Sequence, residues 1–462
     1  MAGKMKVTVL TGPQGSGKST VMREEAIAQP GLYLFAAPTH ELIDEQAEAF
    51  RKEAPRLKVW PVHSKVGGKG KVEERLAFAR SEIIREGHAH AVILTTHDAL
   101  MGSDQSAFRG WHARIDEAPA AIQAGVFDIS EARPSLKTRF HLLSKADSEW
   151  SGLSLIGSKP NWKKLQASLG AKELVEFYKQ AQQPARVFVK AADWDERDDI
   201  AWFSMWTPLE LAGFASVEIA GTSYPKSVGY HAALALFEER LEFDEREISA
   251  VRKGQPNVLI HYFASAHRGS TTYWKTSDGR LQIKKVCDYL AGILPTSAFW
   301  SGNEVVQHLM EHRIEGTLIP ASAAGLNKHR ERKHCAFIFS AKATDDDKPM
   351  MKVFGLTKAD IEAAREDDII AQFAMRGFIR NLEYDGPYDI YVYEKVQAER
   401  LLDHLANLGF TKVEFVAEDG AGIMKTRRKS DGPNEAEKAE KKAARNEAAK
   451  LRMRKNRSKG TP

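Results

Sequence analysis

Along the first 225 residues, short apolar runs alternate with longer helix-like stretches. Lys6–Leu10, Leu32–Ala37, Lys58–Pro61, Ala91–Thr95, Arg114–Ile115 and Ser216–Ala220 have strand composition, and Ser19–Gln29 forms a helical stretch stopped by Pro30-Gly31. Strands that alternate with helices predict a parallel sheet with helices on its faces. A charged bridge, Phe237–Gly254, rich in Glu and Arg, precedes a new strand at Val258–Phe263 and marks a domain boundary. The second block repeats the rhythm with strands Thr317–Pro320, Ala336–Ser340 and Asp389–Tyr393. A closing unit of strand Ile390–Glu394, helix Val396–Leu408 and strand Lys412–Val416 completes it as a βαβ element. The expected plan is α/β, with a first domain over 1–236, a linker over 237–256, a second domain over 257–424 and a tail over 425–462.

Composition narrows the class. A chain of 462 residues with 43% hydrophobic content supports sizeable cores. No run approaches the ~18 apolar residues of a membrane span, so no membrane partner is expected. Cys287 and Cys335 are too few for a disulfide framework or a zinc site, which fits a reducing cytoplasm. The net charge of +5 hides an asymmetry: residues 425–462 hold 14 Lys/Arg against 5 Asp/Glu, so the body is mildly acidic. The tail suits an anionic polymer such as nucleic acid, or equally a disordered solubilising extension.

The run Thr11-Gly-Pro-Gln-Gly-Ser-Gly-Lys-Ser-Thr20 follows a strand and opens a helix, the context a phosphate-binding loop requires. Gly12, Gly15 and Gly17 let backbone N–H groups surround phosphates, with Thr20 beside them at the helix start. Lys18 would reach the β- and γ-phosphates and the Ser19 hydroxyl would ligate Mg²⁺. About 100 residues further on, a strand runs into Asp116-Glu117-Ala118-Pro119. There Asp116 would hold Mg²⁺ through its water shell and Glu117 would position and polarise the attacking water.

With these motifs in place, the chain resembles superfamily 2 helicase-type ATPases of the DEAD/DEAH group, in a compact form like those carried by phages. Asp116-Glu-Ala-Pro stands at the DEAD/DEAH box, Pro38-Thr39-His-Glu-Leu with Gln46 is similar to motif Ia, and Thr95-Thr96-His-Asp-Ala-Leu occupies the next strand-contacting motif. Gly221-Thr222-Ser223 resembles motif III, Ala324-Gly325-Leu-Asn327 motif V, and Gln372 to Arg380 motif VI. The resemblance implies tandem RecA-like P-loop domains and ATP with Mg²⁺. It implies backbone contacts to nucleic acid from Thr39, Thr96, Gly325 and Asn327, and coupling through Thr222 and Ser223. Gln372, Arg376 and Arg380 are four apart, so a helix would align them on one face; Arg376 is the expected arginine finger and Arg380 a second, displaced one place from the family spacing. The few residues before the first strand hold no counterpart of the glutamine motif that recognises adenine, so ATP preference follows from the resemblance alone.

The interval from Glu117 to Thr222 predicts an insertion over about 125–210. Its Trp150, Trp162, Lys163, Lys164 and Trp202–Trp206 either stack on unpaired bases or form the insertion's own core. Lys65, Lys69 and Lys71, and Lys328, Arg330, Arg332 and Lys333, are further electrostatic candidates. The expected function is a DNA helicase or translocase in replication, recombination or repair, acting on single-stranded or forked DNA, with RNA as a possible substrate and replication or recombination proteins as partners. The rivals are an ATP-switched clamp, a packaging ATPase with a nuclease domain, for which Asp345-Asp346-Asp347 is poorly suited, and a small-molecule kinase.

Overall fold

The computed structural model describes residues 3–66, 71–119, 121–128, 133–143, 149–157, 177–178, 180–181, 186–321 and 329–428. The fold is α/β, built on two parallel sheets with an antiparallel sheet inserted in the chain of the first. The first sheet has seven parallel strands in the order Leu241–Glu247, Met5–Thr11, Ser216–Ala220, His112–Asp116, Leu32–Ala37, Ala91–Thr96, Lys58–Val62. Alternation along Met5–Thr11 feeds both faces: Val7 and Val9 join a cluster with Ala233, while Leu10 packs with Met22 and Phe35. All three of these residues are fully buried, whereas Lys6 before them and Thr8 between them are not.

The charged bridge is not simply a linker. Leu241–Glu247 pairs in parallel with Met5–Thr11 along its full length, from Met5↔Leu241 to Thr11↔Glu247. At a sheet edge one side of a strand meets water, so Leu241 and Phe243 pack on the core while Asp244 pairs with Lys6 at 3.0 Å in solvent. The segment 248–256 that follows leads into the second sheet, and Lys253 and Gly254 N–H both donate to Leu382 O.

The insertion is a five-stranded antiparallel sheet in the order Ile122–Asp128, Asp199–Met205, Val187–Lys190, Trp150–Leu155, Phe140–Leu143. Its neck closes where Trp206 N–H donates to Ala121 O at 2.8 Å. Trp150, Trp202, Phe203 and Trp206 are all buried, so they are core residues and not an exposed base-stacking platform. One face of this sheet packs against the second domain: Phe354 lies 5.4 Å from Phe203 and 6.5 Å from Phe188 between ring centres, with Met350, Leu356 and Ile361 in the same cluster. Lys352 pairs with Glu149 beside it at 2.7 Å.

The second sheet has six parallel strands in the order Thr317–Leu318, Phe299–Gly302, His334–Ile338, Pro387–Glu394, Asn257–Ala264, Val413–Ala417. The closing unit is a crossover over a neighbour: Val413–Ala417 pairs with Asn257–Ala264, and not with Pro387–Glu394. Cys287 and Cys335 are both buried thiols. Among the described residues no helix is long and apolar enough to cross a membrane. Residues 429–462, and with them most of the expected tail, lie outside the described residues, as do Gly325, Asn327, Lys328, Lys69, Trp162, Lys163 and Lys164.

Candidate active site

The strand Met5–Thr11 ends in a loop that turns into the helix Lys18–Ala28. Gly12, Gly15 and Gly17 all have positive φ, at 134°, 83° and 87°. At Gly12 the need for glycine is also steric, because a Cβ would lie 2.4 Å from Ile248 O. Gly17 is the N-cap and offers no side-chain cap, and the first helical turn holds no acidic residue. The leading N–H groups of this helix are thus not capped by their own sequence, an arrangement suited to an anion. Gln14 and Ser16 of the same loop have buried side-chain polar atoms without hydrogen-bond partners.

Lys18 Nζ donates to Gly12 O at 2.9 Å, Pro13 O at 2.8 Å and Thr222 Oγ1 at 3.0 Å. Burial brings its pKa down to about 8, against the pull of Glu117 and Asp116. Ser19 Oγ donates to Asp116 Oδ1 at 2.7 Å. Asp116 closes its strand beneath the loop, and burial raises its pKa while the Ser19 bond opposes that rise. Glu117 is pushed up to about 7 by burial and by the Asp116 charge beside it. It is also the one non-glycine residue with positive φ among the described residues, at 65°.

A hydroxyl and a carboxylate side by side are hard oxygen donors. Among the described residues no group of three His, Cys, Asp or Glu could hold a metal ion by itself. As two hard oxygen donors 2.7 Å apart, Ser19 and Asp116 would suit Mg²⁺, which keeps waters and takes phosphate oxygens alongside one or two protein ligands.

A cleft of about 580 Å³ joins this loop to the second domain, lined on the far side by Arg330, Gln372, Met375, Arg376, Phe378 and Arg380. The four-residue spacing of Gln372, Arg376 and Arg380 does not lie on one helix. The helix Asp368–Ala374 ends after Gln372, and Arg380 sits in a separate short turn, Phe378–Arg380. Packing at Gly377 explains the break: a Cβ there would be 2.0 Å from Tyr388 Oη. All three side chains nevertheless line the cleft. Arg376 Nη1 donates to Pro320 O at 3.0 Å, and burial brings its pKa down to about 10. Arg380 packs on the loop itself, its Cγ 3.1 Å from where a Gly15 Cβ would lie, and it feels the charges of Glu117 and Asp116.

Sequence reading missed Asp368. Its Oδ2 accepts from Gln372 Nε2 at 2.8 Å, which fixes the orientation of the Gln372 amide. Asp368 follows a π-turn at Ala363–Asp367, a local widening of the helix often found at functional positions. Arg23 was missed too: it bonds both Glu53 and Gln46 and lines the cleft beside the loop.

Thr39 and Thr96 sit at the ends of adjacent strands, Ala37 pairing with Thr96 in register. Each is a helix cap: Thr39 Oγ1 accepts from Leu42 N–H and Thr96 Oγ1 from Ala99 N–H, both at 3.2 Å. Each hydroxyl keeps its own O–H to donate. Thr222 holds Lys18, whereas Ser223 makes no capping bond. Lys65 pairs with Glu41 at 3.0 Å, and Arg332 donates to Ala298 O. Asp347 caps the Asp345–Asp347 turn through Thr344 and pairs with Arg365 at 2.7 Å.

No protein-family model matches the chain, and no curated protein does. Among solved structures, an XPD helicase shares 10% identity at a TM-score of 0.49, covering 89% of this chain and 96% of that one. Dbp5 of S. cerevisiae bound to RNA and ADP BeF3 shares 8% at 0.38, covering 91% and 88%. RecG bound to a three-way DNA junction shares 12% at 0.35, covering 87% and 42%. Likeness at this level says nothing of what this chain does.

Proposed function

We propose that the protein is a nucleic-acid-dependent ATPase that couples ATP hydrolysis to translocation along, or unwinding of, DNA. The observation that carries this reading is the interdomain cleft, with a phosphate loop and acidic pair on one wall and Gln372, Arg376 and Arg380 on the other. Such a site is complete only when both domains contribute. In this reading the loop N–H groups and Lys18 bind the phosphates. Ser19 and Asp116 hold Mg²⁺, which when bound neutralises phosphate charge. Glu117 orients the attacking water and accepts its proton, and Gln372 lines the same cleft from the second domain. Arg376 and Arg380 stabilise charge that develops on the transferred phosphoryl group. Thr39 and Thr96, on the first domain, hold polymer phosphates; Gly325 and Asn327 would do so on the second. Changing the distance between the two sets converts domain closure into movement.

The packaging-nuclease alternative is disfavoured by Asp347, whose carboxylate is committed to Thr344 and Arg365. Steady-state ATP hydrolysis with and without single-stranded DNA, duplex DNA and RNA tests the proposal. Strong stimulation by a polymer is expected, followed by strand displacement on a forked duplex. Stimulation without displacement would leave a translocase or clamp, and hydrolysis indifferent to every polymer would sink the reading.

A further inference from the structure

His97 is the first residue of the helix His97–Gly102, directly after the cap Thr96. Its imidazole is buried, and Nε2 lies 2.9 Å from the carbonyl oxygen of Asp116. That carbonyl belongs to the peptide leading into Glu117, whose φ of 65° is a conformation L residues avoid. A backbone held there needs its surroundings to fix it.

We propose that His97 is a positioning residue: it holds the Asp116–Glu117 peptide in place and ties the Glu117 carboxylate to the polymer contact at Thr96. The inference rests on the ATPase reading above. The chain of contacts is short. Thr96 ends the strand Ala91–Thr96 and caps the next helix, His97 follows it in sequence, and its ring reaches past the end of the intervening strand Leu32–Ala37 to the acidic strand end. A phosphate seated at Thr96 that shifts the first turn of this helix therefore moves the donor on Asp116 O, and through it the direction of Glu117.

The ring is chemically suited to this. A carbonyl oxygen can only accept, so the ring meets Asp116 O with an N–H on Nε2. A neutral imidazole that donates from Nε2 has its Nδ1 free of a proton, and the bond to Asp116 O sets that tautomer. Glu117 itself stays free to work as a base.

The test compares His97→Ala and His97→Gln with wild type, reading ATP turnover over a range of single-stranded DNA concentrations, ATP affinity by equilibrium binding, and melting temperature. The Gln amide can place an N–H close to the position of imidazole Nε2; Ala removes that donor from Asp116 O. The expected result is a loss of about 10²-fold in polymer-stimulated kcat for His97→Ala, the size a small misplacement of a catalytic group produces, with ATP affinity retained and most of the rate restored in His97→Gln. A folded His97→Ala protein with wild-type stimulated turnover overturns the inference. So does a His97→Gln protein as slow as His97→Ala with both melting early, because the ring would then be packing and not a donor. Wild type that hydrolyses ATP without any response to polymer overturns the parent reading instead, and is recognised before either variant is measured.

Discussion

The Ser19 hydroxyl donates to Asp116 Oδ1 across 2.7 Å, joining the first turn of the phosphate-loop helix to a strand end 97 residues away. This bond holds the two oxygen donors together at the base of the cleft. Asp116→Asn keeps the shape but removes the negative charge that would balance a divalent cation. It should lower kcat about 10³-fold, the size expected when several kcal/mol of metal-supported stabilisation is lost. A titration of turnover against Mg²⁺ for both proteins checks this, and unchanged Mg²⁺ dependence would count against the assignment.

The acidic pair and Lys18 also set a pH window. Glu117 accepts a proton only when ionised, and its pKa is pushed up to about 7; Lys18 works protonated, and its pKa is brought down to about 8. In the free enzyme kcat/KM should rise as pH climbs through about 7 and fall beyond about 8. Glu117→Gln should abolish the acid limb along with most of the rate. A flat wild-type profile across this range would remove Glu117 as the base.

Arg376 reaches the cleft from the second domain while anchored to Pro320 O. Arg376→Ala should reduce turnover by about 10³-fold or more with nucleotide affinity largely kept, as for arginine fingers generally. Arg380, packed on Gly15, should affect nucleotide affinity as well as rate. Paired measurements of ATP binding and hydrolysis on the two variants separate these roles; equal loss of affinity in both would show that neither acts mainly in the transition state.

Phe354→Ala empties a buried aromatic position between the insertion and the second domain, and should cost about 3–5 kcal/mol. Chemical denaturation checks it, with exposed Phe415→Ala as the comparison, where little change is expected.

The phosphate loop was legible in the sequence because its requirements are local: a strand, glycines at left-handed positions and a helix start all lie within about twenty residues. The acidic pair was legible because a strand end fixes it. Phe237–Gly254 was not, since an edge strand with one wet face carries the same charges as a solvated linker. The Gln372–Arg380 segment has helical spacing, but tertiary packing of Gly377 against Tyr388 decides its path, and no periodicity reports that. Asp368 went unseen because its role depends on the helix that carries Gln372, and His97 because its partner lies on another strand.

The seating of Phe354 among Phe188 and Phe203 has a mechanical consequence. The two lobes are joined by the connecting chain and also riveted through the insertion that hangs from the first. Bodies pinned at two separate points swing about the line between them. While the rivet holds, a rotation of one lobe against the other is confined to that line, and a twist across it would have to break the Phe354 seat first.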